Sequence, residues 1–235
     1  MLIPRTPRLS LPIATLALLA GSALSGCNSQ RPLQAIWEKG DFYYGTKDYA
    51  AAEAEYQEYL DRRPENTTVR YGLARSLAAQ GRWPEAREEY RALVDINPLD
   101  DRFVDGYVDA MYQTGDTVQL LDFLNQRAAG RATVSDHLRL GRYAQRIGDI
   151  DGAKAAFANA ARLDGGRSVR PWVAQADLFA QIGDTPNELL SLRRAAYVDP
   201  MNPEVQERIR TLGAIPGPTA GVRPAEFVDP APVRR

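Results

Sequence analysis

A two-helix pattern recurs along the chain in steps of 33 to 35 residues, and this recurrence restricts the fold to stacked helical hairpins. The clearest copy runs from Val69 to Pro98. Leu73, Ala74 and Leu77 form the apolar stripe of a first helix, and Gly81 supplies a turn. Trp83, Ala86, Tyr90, Leu93 and Val94 form the stripe of a second helix, and Pro98 ends it. A shift of 34 residues back places Tyr49 on Trp83, Ala52 on Ala86, Tyr56 on Tyr90 and Pro64 on Pro98. Forward of Gly81, turns recur at Gly115, Gly148 and Gly183 after steps of 34, 33 and 35 residues. Leu120, Ala153 and Glu188 then stand in the place of Ala86, and Leu124, Phe157 and Leu192 in that of Tyr90. One such hairpin cannot bury its apolar faces, whereas a stack of them can.

The spacing predicts an all-α solenoid of about five helix-turn-helix repeats over residues 33–203, capped by a short helix over 204–212. The repeats occupy about Leu33 to Pro64, Thr67 to Pro98, Asp101 to Gly130, Val134 to Gly165 and Val169 to Pro200. Lys47 stands where later turns carry glycine, so the first turn is expected to be strained or differently closed. Arg82 is a poor cap for the helix after it, whereas Asp149 can accept a bond from an exposed N–H. Repeat three lacks a closing proline and is expected to be the least stable. Glu188 at a normally small crossing position either splays its helices or carries its carboxylate outward. Residues 213–235 contain five prolines and are expected to form an extended or disordered tail.

Residues 1–26 read as an export signal: Arg5 and Arg8 precede an apolar stretch from Leu9 to Ala20, and small residues follow. Pro12 and the short length argue against a permanent membrane span. Leu24, Ser25 and Gly26 lead to Cys27, the single cysteine of the chain. This junction resembles the lipobox of bacterial lipoproteins, which implies lipidation of Cys27, removal of residues 1–26 and a short spacer over 27–32. By the sorting rule of such lipoproteins, Asn28 favours the outer membrane, with the periplasmic face as the expected side. The lipid bilayer is then a partner through the acylated Cys27.

With 29 basic and 30 acidic residues, the chain offers no general electrostatic case for nucleic acid. A single cysteine excludes an intrachain disulfide and a cysteine-based metal cluster. The one histidine, His137, reads as a packing residue, and neither a phosphate cradle nor metal-ligand spacing is visible. No cofactor, metal site or catalytic residue is therefore expected.

The unit resembles the tetratricopeptide repeat, whose pattern has small residues at the helix crossing, a large one in the second helix and a closing proline. Gly40, Ala74, Gly141 and Ala176 match the first small position, with Val108 in repeat three departing from it. The resemblance implies a right-handed superhelix with the first helices lining a concave groove. Carried over residue by residue, the groove comprises Trp37 and Asp41, Tyr71 and Arg75, Asp105 and Asp109, Leu138 and Arg142, and Val173 and Asp177. Tyr44 and Tyr112, one turn further on, extend the same wall. The Lys/Asn/Arg arrangement with which some members grip a terminal carboxylate is missing.

The expected function is a membrane-anchored scaffold that holds an envelope protein or peptide segment in the groove and assists assembly of an envelope complex. Two competing classes are a structural envelope component with an incidental groove and an envelope hydrolase. The hydrolase lacks grouped acid, base and nucleophile in the sequence.

Overall fold

In the computed structural model, which describes residues 31–227, eleven α-helices follow one another among those residues with no strand. The hairpins are α1 (Leu33–Gly45) with α2 (Tyr49–Arg62), α3 (Thr67–Ala79) with α4 (Trp83–Ile96), and α5 (Asp101–Gln113) with α6 (Thr117–Arg131). They continue with α7 (Val134–Arg146) and α8 (Ile150–Asp164), then α9 (Arg170–Gln181) and α10 (Thr185–Val198). The terminal helix α11 (Pro203–Thr211) packs on α10. The fold is the all-α solenoid that the repeat predicts. Residues 1–26, expected to be an export signal, and Cys27 lie outside the described residues.

Each hairpin turns on one left-handed residue. Gly81, Gly115, Gly148 and Gly183 take φ values of 75°, 80°, 85° and 73°, and Lys47 takes 66° in the first turn. A side chain in that region costs roughly 1–2 kcal/mol, so the first turn carries the strain its sequence predicts. The following residue then caps the second helix: Asp48, Asp149 and Asp184 accept from Ala51, Gly152 and Asn187 backbone N–H groups. Arg82 makes no capping bond and instead reaches back to Glu53 at 2.6 Å and forward to Glu85.

The repeats are joined by aromatic side chains set against glycine. The Tyr56 ring fits between Gly40 of its own repeat and Gly72 of the next, where an added Cβ would lie 2.6 and 2.7 Å from ring atoms. Tyr90 meets Gly106 in the same way, with only 2.2 Å available. At the crossings themselves, Ala52, Ala74 and Ala86 are fully buried. Repeat three replaces both small crossing residues by Val108 and Leu120, each fully buried, and α5 and α6 pack least closely of the five hairpins. In repeat five the hairpin stays closely packed, because the Glu188 carboxylate turns away to Arg208 at 3.2 Å.

The apolar core falls into blocks. One cluster joins the first three repeats and ends at Tyr143. Separate clusters serve repeat four with Leu178, and repeat five with α11. Between the first block and the rest sits a buried group of charges, described below.

The tail departs from the expectation of disorder over 213–227. Gly217 N–H donates to Gln206 Oε1 at 2.6 Å and Val222 N–H to the Arg193 carbonyl at 3.0 Å. Ala214 and Ala220 pack on the last apolar cluster, and Phe227 stands edge-on to Tyr197 at 5.1 Å in a notch left open by Gly166. The segment turns at residues 217–219 and 225–226, and Gly221 lets its backbone approach that of Tyr197 on α10 closely. Composition did not signal this docking.

Two substitutions test this reading by thermal unfolding followed by circular dichroism. Gly106→Ala is expected to destabilise by about 1–3 kcal/mol because its methyl overlaps the Tyr90 ring. Lys47→Gly is expected to stabilise by about 1 kcal/mol by relieving the left-handed turn.

Candidate interaction groove

The first helices stand side by side, α1 against α3, α3 against α5 and α7 against α9, and their shared face carries the residues the sequence singles out. At its start, Trp37 is half-buried, edge-on to Tyr59 at 6.3 Å. Asp41 accepts from the Tyr56 hydroxyl at 2.7 Å, and burial together with this carboxylate pushes the Tyr56 phenol pKa up. The Arg75 guanidinium lies 4.1 Å from the Tyr44 ring centre and 5.5 Å from that of Tyr71. Tyr71 leans in turn on Tyr90 and Phe103. Tyr44, Arg75 and Tyr71 thus form one patch across α1 and α3, with Arg75 exposed. Tyr71 is also a packing residue, and both roles meet in the same ring.

Further along, the predicted carboxylates are engaged within the chain. Asp105 accepts from Arg139 Nε at 2.6 Å. Asp109 accepts from the Tyr143 hydroxyl and lies 3.2 Å from Arg146. Asp177 pairs with Arg208 at 2.6 Å. Tyr112 stands 6.0 Å from the Tyr143 ring, with the Arg146 guanidinium 5.5 Å from its centre. Arg142 is exposed and borders two recesses. One, of about 250 Å³, is lined by Asp105, Asp109, Tyr143 and Arg146 beside it. The other is more apolar and includes Leu138, Val173 and Asp177. The structure therefore gathers Trp37, Asp41, Tyr44, Tyr71 and Arg75 at one end and Asp105, Asp109, Tyr112 and Arg142 in the middle. Asp177 lies beyond, beside α11.

Sequence reasoning missed the charges beneath this face. Arg139 is 2% exposed and Asp136 1% exposed, and they bond at 3.1 Å. Arg139 also reaches Asp101 at 3.1 Å, while Asp136 takes the Thr133 hydroxyl at 2.7 Å and approaches Arg127 at 3.3 Å. Burial opposes the charge of Arg139, but its bonds to Asp105 and Asp101 outweigh that cost and leave its pKa raised. Burial lowers that of Arg127. A signal was present: Arg139 stands one repeat after Gly106 and two after Gly72, a charge at a position that is glycine in the two preceding repeats. In the repeat register Leu124 replaces the tyrosines that meet the two glycines.

His137 sits next to Asp136, and burial, with the nearby Arg162 cation, lowers its pKa below 6.5. Among the described residues no group of three or more His, Cys, Asp or Glu side chains is placed to hold a metal. What the face offers is aromatic rings, cations and engaged carboxylates, the chemistry of docking.

A family model described as "Tetratricopeptide repeat" matches residues 38–101 and 138–203, more than half of the chain. The stretch between the matches holds repeat three and the start of α7, where the small crossing residues are lost. No curated protein matches the chain in sequence. Among solved structures, a thermophilic TPR protein of Thermus thermophilus is 21% identical at a TM-score of 0.52, covering 77% of this chain and 98% of that one. A tetratricopeptide repeat protein from Parabacteroides merdae is 16% identical at 0.57, covering 77% and 72%. PilW, described as a widely conserved type IV pilus biogenesis factor, is 13% identical at 0.53, covering 78% and 86%. At these identities the likeness is one of fold.

Two measurements probe the buried charges. Arg139→Met leaves Asp101 and Asp105 without their shared cation and weakens the hold on Asp136. It is expected to cost roughly 3–5 kcal/mol and to speed proteolysis between α5 and α7. His137 binds its proton less readily folded than unfolded, so stability is expected to fall as pH drops through about 6.5. His137→Gln is expected to flatten that dependence in urea titrations.

Proposed function

Because the chain belongs to the tetratricopeptide-repeat family, we propose that it is a membrane-anchored protein–protein interaction scaffold that assists assembly of a cell-envelope complex. Scaffolding is the common use of this fold, and no catalytic family is indicated. The observation that carries the reading is the patch of Tyr44, Arg75 and Tyr71 on the face of the first helices. There, aromatic surface and an exposed cation lie side by side on rigid helices, as protein interfaces favour.

The anchor in this reading is Cys27, acylated after removal of residues 1–26. No helix among the described residues is long and apolar enough to cross a membrane. Acyl chains gain about 0.8 kcal/mol per buried CH₂, and several chains hold a domain firmly at a surface. Tethering raises the effective concentration of partners confined to the same membrane, so modest groove affinity suffices without catalysis. Asn28 supports the outer membrane as the location in this reading, with the periplasmic face as the side it assigns.

A second reading, a mainly structural envelope component, draws support from the C-terminal edge. Met201 and Ile215 are 78% and 88% exposed there, beside a recess lined by Pro200, Pro203 and Pro216.

Cys27→Ser is expected to move the protein from the membrane fraction to the soluble fraction. It is also expected to remove most of the complexes trapped by mild crosslinking in native membranes, read by mass spectrometry. Unchanged membrane retention contradicts the anchor, and absence of any crosslinked partner from the wild-type chain contradicts the scaffold.

A further inference from the structure

Three carboxylates on the face of the first helices are occupied, whereas the cations Arg75 and Arg142 are not. Asp105 is held by Arg139, Asp109 by Tyr143 and Arg146, and Asp177 by Arg208. Among the described residues, Arg75 and Arg142 have no carboxylate partner. Both are exposed. Each is also held ready by its surroundings. The Tyr44 ring at 4.1 Å supports the plane of the Arg75 guanidinium and leaves its edge of N–H donors open. Arg142 stands between two recesses, beside which Asp105, Asp109 and Asp177 already have partners, while exposed Glu204 and exposed Arg170 share the second recess. The available charge in the middle of the groove is therefore positive, although the chain as a whole has a net charge of −1.

From this arrangement we infer that the groove selects an extended, internal acidic segment of a partner protein, with side-chain carboxylates that meet Arg75 and Arg142 together. This deepens the scaffold reading and rests on it. Arg75 is on α3 and Arg142 on α7, with α5 between them. Two helix spacings of about 8–10 Å place the two cations about 20 Å apart. An extended chain advances about 3.3 Å per residue, so the two carboxylates are about six residues apart in the partner. Tyr71, one turn before Arg75 on α3, and Tyr112 on α5, both half-buried, present ring surface beside those points for neighbouring side chains. One end of the groove limits the segment. Asp41, whose partner is the uncharged Tyr56 hydroxyl, repels further acid at the α1 end. The recognised stretch thus has acid at its centre and a neutral or basic flank toward α1. Because each guanidinium can take a carboxylate with two parallel bonds, these contacts add register as well as attraction.

The test uses the full chain in detergent and fluorescence anisotropy with labelled peptides of about twelve residues, capped at both ends so that only side chains carry charge. One peptide has two glutamates about six residues apart, a second has glutamine at those places, and a third has lysine. The glutamate peptide is expected to bind about tenfold more tightly than the glutamine peptide, with the lysine peptide weakest and with affinity falling as salt rises. Arg75→Glu with Arg142→Glu is expected to abolish that preference and to favour the lysine peptide. Neither arginine carries an ion pair among the described residues, so helicity is expected to persist. Arg91→Glu on the exposed face of α4 is expected to leave the order unchanged. Equal affinity for the three peptides overturns the inference, as does a glutamate preference that survives the double exchange. A glutamine peptide with a free C-terminal carboxylate that binds as tightly as the capped glutamate peptide also overturns it. Binding by none of the peptides overturns it too, whereas crosslinking in native membranes judges the scaffold reading independently of partner charge.

Discussion

The fit of a tyrosine ring against helix glycines holds the first half of the structure together. Tyr56 contacts Gly40 within its own hairpin and Gly72 in the next, so one ring closes a repeat and joins it to its neighbour. Tyr90 meets Gly106 of the following repeat in the same manner. Close helix approach needs the missing Cβ, and the ring fills the space to the density of a protein interior. This joint fixes the spacing of α1, α3 and α5, and with it the positions of Tyr44, Arg75 and Tyr71. Groove geometry follows from residues that do not belong to the groove.

The joint changes character at repeat three. Val108 and Leu120 widen the α5/α6 crossing, and Arg139 enters where Gly72 and Gly106 set the precedent. Buried charge replaces buried ring, and Asp105 and Asp101 are drawn down to satisfy it. That diversion has a functional consequence. A carboxylate bound to Arg139 offers less to a partner, and Asp109 is similarly occupied by Tyr143 and Arg146. The groove's free charge is left on Arg75 and Arg142. A structural substitution at one crossing thus alters the electrostatics of the recognition face.

Much of the architecture was legible because it depends on local rules. A step of about 34 residues, turn glycines and capping aspartates each specify backbone geometry through nearby atoms, and Lys47 revealed its strained turn in the same way. Register alone assigns Trp37, Tyr71, Asp105, Arg142 and Asp177 to the first helices of their repeats, α1, α3, α5, α7 and α9. Their partners were harder to read, because Asp177 with Arg208 and Asp109 with Tyr143 join residues more than 30 positions apart. The docking of the tail was not legible because composition reports proline content but not the notch at Gly166 that receives Phe227. Arg139 was overlooked although its alignment with two glycines marked it.

Recognition rests on the first-helix face being the one that meets partners. Site-specific photocrosslinking in native membranes tests this directly, with a photoreactive residue placed at Arg75 or at Arg142, and in parallel at Arg91 on α4. Docking in the groove predicts discrete adducts with the same partner from positions 75 and 142 and none from 91. Adducts from position 91 alone would contradict it and assign recognition to the second helices instead.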